Sequence, residues 1–210
     1  MGLIEANGRP NTTIENDRRQ QIIDAANDLF LEFGYEGATL DMLIERTGGS
    51  RRAIYNYFGS KEGLLKAIVT ERCLCLAQEV EALSIEGLEP REMLQKLGLT
   101  AAHIILSPQG VKLFRLVVQE SVRNPHLGRL MYENGIAVSQ GMLAKHFERE
   151  TRAGRLNIAY PEEAAGMFFN MIKGDLHFIA LFWGHEQLTD EFLKGRVDRS
   201  VEVFMHGVLP

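Results

Sequence analysis

The residues best suited to chemistry lie between Thr39 and Lys61, where Arg51, Arg52, Tyr55 and Asn56 share one short segment with Ile54 and Phe58. An arginine fork spans two acceptors on a guanine edge, an asparagine amide matches adenine, and a tyrosine hydroxyl reaches phosphate. Lys61 and Thr39 stand where short helices begin, so exposed backbone N–H groups beside them favour an anion. Covalent chemistry is harder to find. The chain has no GxSxG, P-loop, GxGxxG or HExxH pattern and no CxxC pair. His185-Glu186 lacks a second histidine, and Glu148 and Glu150 read as solvated carboxylates on an exposed helix. We therefore expect no enzyme, no cofactor and no metal site. Two alternatives stay open: an enzyme with a helical body, and a helix-turn-helix scaffold that has lost DNA binding and works through protein partners.

Positioning such a set requires two short helices joined by a tight turn, the second narrow enough for the major groove and held from behind. The spacing predicts them. Thr39 caps a helix running to Thr47 with Leu40, Leu43 and Ile44 inward, and Gly48-Gly49 forms the turn. Ser50 caps a second helix on which Ile54 and Phe58 point inward one turn apart, and Gly59 ends it. Before them, a helix starting near Thr12, with capping-box spacing to Glu15, carries Ile22, Ile23, Ala26, Leu29, Phe30 and Phe33 as a stripe and stops at Gly34. After them, Ser60 opens a long helix with Leu64, Leu65, Ile68, Val69, Leu76, Val80 and Leu83. Beyond Gly87, longer helices begin at Pro90, after Ser107-Pro108, at Pro125, at Pro161 and after Thr189. No period-two alternation persists, so the fold class is all-α with about nine helices.

The 210 residues carry a net charge of −5, with 45% hydrophobic and 24% charged residues. This is a globular composition that opposes indiscriminate coating of nucleic acid. Residues 1–72 hold nine Lys/Arg against eleven Asp/Glu, so any DNA-binding surface must be a local cluster of cations. Met1 to Pro10 lacks the pattern of a secretory signal. The greasiest segment, Met167 to Trp183, is interrupted by Asn170, Lys173, Asp175 and His177, which opposes a membrane span. A cytoplasmic location is expected. Cys73 and Cys75 sit two apart on a helix, hence on different faces, and read as reduced thiols.

The run Gly34-Tyr35-Glu36-Gly37-Ala38-Thr39, followed by Thr47 through Leu65 with its aromatic pair and Ser60-Lys61-Glu62, closely resembles the N-terminal domain of the TetR/AcrR family of bacterial regulators. The resemblance implies an obligate homodimer that usually represses, binds a palindromic operator in double-stranded DNA, and releases it when a ligand enters the C-terminal body. On the matching positions Arg51, Arg52 and Ala53 would face bases, while Thr39, Ser50, Tyr55, Tyr57 and Lys61 would hold phosphates; Asn56 joins them from its residue type. Two positions depart from the commonest pattern. Gly49 stands where many members carry a valine-sized residue, and Arg52 where a small residue is common. The segment Val111 to Glu120 with Asn124-Pro125, and later Ala153-Gly154-Arg155-Leu156 with Pro161 to Ala165, is similar to the AefR-like subgroup of C-terminal domains.

The expected organisation is a leader at 1–10, a three-helix helix-turn-helix domain at 11–60 and a helical ligand-binding and dimerisation domain at 61–210. Met93, Phe114, Met131, Met142, Phe147, Phe168, Met171 and Phe182 are candidates for a cavity taking an apolar or aromatic inducer, since methionine reshapes around varied guests. His103, His146 and His177 are candidates to orient a polar group on it. Asn170, Gly174 and His177 would share a helix face and make a polar notch. The last two helices, Pro161 to Gly184 and Thr189 to Val208, carry surplus apolar surface that a second copy would bury in a four-helix bundle. Such a dimer would set two recognition helices about 34 Å apart, matching successive major grooves. A ligand that changed this spacing by a few ångströms would cost both half-sites together.

Overall fold

The computed structural model describes residues 12–208 other than 84, 86, 185 and 186, and leaves out the side chains of 12–15 and 76. The leader at 1–10, the Thr12/Glu15 cap, Leu76 and His185-Glu186 therefore lie outside the described residues. Among the described residues there are eleven α-helices: α1 Thr12–Gly37, α2 Leu40–Thr47, α3 Arg51–Phe58, α4 Lys61–Glu81, α5 Pro90–Ile105, α6 Pro108–Ser121, α7 Pro125–Met131, α8 Ala137–Arg152, α9 Pro161–Lys173, α10 Leu176–Phe182 and α11 Asp190–Val208. No strand occurs among the described residues. Proline opens α5, α6, α7 and α9, at the position where its missing N–H costs nothing. Side-chain caps also start α6 and α11: Ser107 Oγ accepts from Gly110 N at 2.9 Å, and Thr189 Oγ1 from Phe192 N at 3.2 Å.

The chain forms two compact units that divide within α4, residues 1–68 and 69–210. In the first, Ile22, Ile23, Ala26, Leu29 and Phe30 of α1 are buried together with Leu43, Ile54, Leu64, Leu65 and Ile68. These are the residues whose period marked the inner faces. In the second unit, α5, α9 and α11 pack around one apolar cluster with α8 against α9. Phe147 stacks on Phe204 at 5.4 Å between ring centres, and Phe168 meets Phe204 edge-on at 5.3 Å. A methyl group on Gly98 would come within 2.8 Å of Ile172 Cδ1, so α5 approaches α9 at glycine distance.

Five features depart from the sequence-based expectations. The helix expected to begin at Pro125 passes through a π-helical turn at Tyr132–Ile136, and the one from Pro161 to Gly184 breaks at Gly174. Gly174 adopts φ 37°, ψ −130°, which side-chain-bearing residues avoid, and Arg196 of α11 reaches across to Asp175 at 2.5 Å. The expected notch therefore does not form on one helix face, because Asn170 is exposed and His177 is buried. The α11 stripe is also largely spent on its own unit: Val197, Val201 and Phe204 are buried, and Phe192 is partly exposed. Exposed apolar residues gather instead on α10 and just past its end, at Phe178, Phe182 and Trp183, the last 78% exposed. Finally, Glu150 is not solvated. It is buried against Arg155 at 2.5 Å and Arg149 at 3.5 Å, and the hydrogen bond from Arg155 holds its carboxyl below the usual range.

Burial separates the two thiols. Cys73 is enclosed and its pKa is pushed up to about 11, whereas Cys75 is half-buried. Iodoacetamide at pH 8 should label Cys75 in the native protein and Cys73 only after unfolding, read by peptide mass. His177 gives a second expectation. It is 7% exposed, both ring nitrogens lack a hydrogen-bond partner, and its ring meets Phe114 edge-on at 4.5 Å. Burial, and then the neighbouring Lys173 charge, push its pKa below the usual histidine value. The unfolded chain thus binds the proton more readily, so stability is lost as pH falls through about 6.5 and below. His177→Leu should remove that slope in melting curves taken between pH 8 and 5. At pH 8 it should be neutral or stabilising, because no hydrogen bond is broken.

Candidate nucleic-acid interface

The first unit is arranged around two short helices and the turn between them. Thr39 Oγ1 accepts from Met42 N at 3.2 Å and Ser50 Oγ from Ala53 N at 3.2 Å, so α2 and α3 are each capped by the expected residue. Gly48 at φ 67° ends α2, its N–H donating to Ile44 O at 2.7 Å, and Gly59 at φ 72° ends α3, its N–H donating to Tyr55 O at 2.8 Å. Leu43 and Ile54 turn inward and are buried.

The turn has a clamp that the periodicity did not reveal. Arg18 of α1 donates from Nη1 to Thr47 O at 2.9 Å and from Nη2 to Gly48 O at 2.5 Å. Its guanidinium caps the carbonyl end of α2, where a cation also suits the helix dipole. The departure at Gly49 has its reason here. With φ 107°, and with Arg18 Nη2 2.8 Å from where a β-carbon would stand, the site accepts glycine and little else. A lone arginine on the polar side of α1 carries no spacing signal, since the groups it serves are backbone carbonyls 29 and 30 residues away.

The outward face of α3 presents Arg51, Arg52, Tyr55 and Asn56, all exposed. No acid occurs between Gly48 and Lys61, so this face is locally cationic on an acidic chain. Arg51 is tied to Asp41 of α2 at 2.5 Å, with both side chains mostly exposed. Ala53 and Tyr57 are half-buried, and the Tyr57 ring lies 6.0 Å from Phe58. Arg19 of α1 sits over the Phe58 ring at 5.5 Å. Lys61 rests its ammonium over Tyr35 at 4.5 Å and Phe30 at 5.9 Å, which holds the cation at the start of α4. Thr39 and Ser50 are exposed at the starts of α2 and α3. The structure thus brings Thr39, Ser50, Arg51, Arg52, Tyr55, Asn56 and Lys61 together on the helix-turn-helix, with Ala53 and Tyr57 set further in.

The candidate ligand residues in the second unit fall into separate places. Met142 and His146 line a cleft of about 530 Å³. Met93, Phe147 and Phe168 lie in the apolar core, with Met171 half-buried against it. Phe114 and His177 meet each other under α10. Met131 is half-buried at the end of α7, and His103 is exposed with Nε2 3.2 Å from Asp190. Among the described residues, no group of three or more His, Cys, Asp or Glu side chains is placed to hold a metal ion.

Comparison with known proteins agrees with this geometry. Residues 22–68 match the family described as bacterial regulatory proteins, tetR family, and residues 92–207 match the AefR-like transcriptional repressor C-terminal domain. The HTH-type transcriptional repressor AcnR of Corynebacterium glutamicum is 47% identical over 62 residues, 30% of this chain and 33% of that protein. The match thus spans about a third of the curated repressor's length. The HTH-type transcriptional regulator YhgD of Bacillus subtilis is 25% identical over 193 residues, 90% of this chain and 95% of that one. A TetR-family regulator from Mesorhizobium loti superimposes with TM-score 0.88 at 26% identity, covering 93% of this chain and 98% of its own. The flavonoid-responsive regulator FrrA superimposes with TM-score 0.77 at 28% identity and the same coverage.

If Arg18 holds the turn, Arg18→Ala should cost about 1–2 kcal/mol in chemical denaturation, from two charge-assisted bonds at a partly solvated site. Gly49→Val should cost a similar amount, about 1–3 kcal/mol, through backbone strain. Unchanged stability in both variants would remove the clamp from the account.

Proposed function

Because the chain belongs to the TetR family of DNA-binding transcriptional regulators, we propose that it represses transcription by binding a palindromic operator as a homodimer and leaves it when a small molecule binds the body. The observation that carries this reading is the exposed face of α3, which contributes arginines and no acid of its own, backed by buried Ile54 and by the Arg18 clamp. In this reading Arg51 and Arg52 face bases, with Ala53 close to them and Asn56 available for adenine. Thr39, Ser50, Tyr55, Tyr57 and Lys61 hold the phosphates that fix register. The DNA-binding part runs to the end of the first compact unit at residue 68, beyond the expected boundary at 60/61, because Leu64, Leu65 and Ile68 are buried in that unit, and the body follows it. The protein works in the cytoplasm; no helix among the described residues is long and apolar enough to cross a membrane.

Arg51 must exchange its partner to read a base. The Asp41 pair is solvent-exposed and therefore worth little, so a guanine edge competes readily while Asp41 keeps the guanidinium aimed away from the core. Repression is supported by the AefR-like repressor match and by AcnR; an activator, FasR of Mycolicibacterium smegmatis, also shares the head at 35% identity over 63 residues. The exposed Phe178, Phe182 and Trp183 next to α9 supply apolar surface that a second copy would cover, which supports pairing through the last helices. Responsiveness to a small molecule is supported by the cleft and by likeness to the flavonoid-responsive regulator.

The test is fluorescence anisotropy with operator DNA obtained by random-sequence selection, at two salt concentrations. Affinity should fall as salt rises. An Arg51→Ala, Arg52→Ala double variant should lose about 30-fold or more, since each base-reading arginine contributes about 1–3 kcal/mol. A selection that enriches no sequence, or a double variant that binds as well as the parent, would refute the reading.

A further inference from the structure

The cleft in the second unit is chemically two-sided. Its volume of about 530 Å³ falls within the range of small-molecule sites, about 300–1,000 Å³. Val80 near the end of α4, Ile85 beyond it and Leu97 of α5 line it and are buried, so this part continues the apolar core. The other side is one face of α8. Met142, Lys145, His146 and Arg149 recur at three- and four-residue spacing, which stacks them along the cleft.

That face offers positive charge and hydrogen-bond donors. Arg149 is fixed from two sides, with Nη2 2.6 Å from His146 Nδ1 and Nε 3.5 Å from Glu150 Oε1. A guanidinium only donates, so His146 Nδ1 is the acceptor and the ring's other nitrogen is its donor. Glu150 also receives Arg155 at 2.5 Å, so one buried carboxylate serves two guanidinium groups and leaves an excess of positive charge. Lys145 has no carboxylate within ion-pair distance among the described residues. Glu81 of α4 is the acid among the described lining residues. Lys145 is exposed and Arg149 half-exposed at the open side of the cleft, so an anion there gains charge-assisted contacts that an apolar group cannot make.

We propose that the cleft takes a small amphipathic organic acid, with an apolar or aromatic body against Val80, Ile85, Leu97 and Met142 and a carboxylate or ionised phenol at Lys145 and Arg149. This rests on the reading of the protein as a ligand-responsive regulator and narrows its inducer from apolar to acidic-amphipathic. Arg149 is held ready by its two contacts, so it meets the anion with little loss of side-chain freedom.

The experiment pairs each acid with its neutral counterpart, using the full chain without DNA. Calorimetric titrations compare 2-naphthoate with 2-naphthylmethanol, and octanoate with octanol. At least one acid should bind about tenfold or more tightly than its alcohol, as a charge-assisted contact implies. Lys145→Glu should bring that acid down to the alcohol's affinity and leave the alcohol unchanged. Met142→Trp should abolish both by filling the cleft. Unchanged melting temperatures would show that both variants fold. The proposal fails if neither acid saturates the protein, if the alcohols bind as tightly, or if acid preference survives Lys145→Glu. Operator binding, measured separately without these compounds, tests the other reading. Acid binding without DNA binding would sink the regulator, and DNA binding without acid binding would sink the cleft.

Discussion

A helix of eight residues does not hold its shape alone in water, because nucleation costs more than two turns of hydrogen bonds return. The proposed DNA-reading face of α3 rests on that constraint. Its rigidity has to be imported: from the Ser50 cap, from Ile54 buried behind it, and from the connection to α2 that Arg18 clamps at the carbonyls of Thr47 and Gly48. α1 therefore serves as the back wall, although it carries none of the exposed α3 residues. Its apolar stripe buries the helices, and its arginines hold the turn and cover Phe58. The same economy explains the glycines at 48 and 49. Left-handed backbone at two successive positions lets the chain reverse within Arg18's reach.

Charge is handled locally throughout. The chain is acidic overall, yet the residues from Gly48 to Lys61 contain no acid, and Lys61 is kept in place by aromatic faces. In the second unit, Glu150 is buried only because two arginines share it, and that sharing leaves the α8 face of the cleft cationic. An ion pair worth little at the surface becomes a positioning device once one partner is enclosed. Arg91 with Glu202 and Gln95 with Asp198 tie α5 to α11 outside the apolar core, so that helix pair is aligned by polar contacts as well as by packing.

The helical periodicity and the caps were legible from the start, because each depends on neighbours within four residues. Thr39, Ser50, Gly48, Gly59 and the prolines at 90, 108, 125 and 161 mark helix ends by local chemistry, and the structure puts ends there. The break at Gly174 and the π-turn at Tyr132–Ile136 were not legible in the same way. A glycine within a helical pattern is ambiguous until something fills the space its side chain would need, and here Arg196 and Cys73 do so. Glu150 misled for the same reason: its partner Arg155 lies past the end of α8, and solvation cannot be read from helix position alone.

By itself the sequence determined the family, the all-α class and the residues of the α3 face, since motif order, spacing and caps are properties of short contiguous stretches. Tertiary structure decided which groups those stretches meet. It turned the α11 stripe into core, left the α10 aromatics outside, and put Phe147 and Phe168 in the interior while Met142 and His146 reached the cleft. Contacts between residues tens of positions apart depend on how helices cross, and no local pattern encodes that crossing.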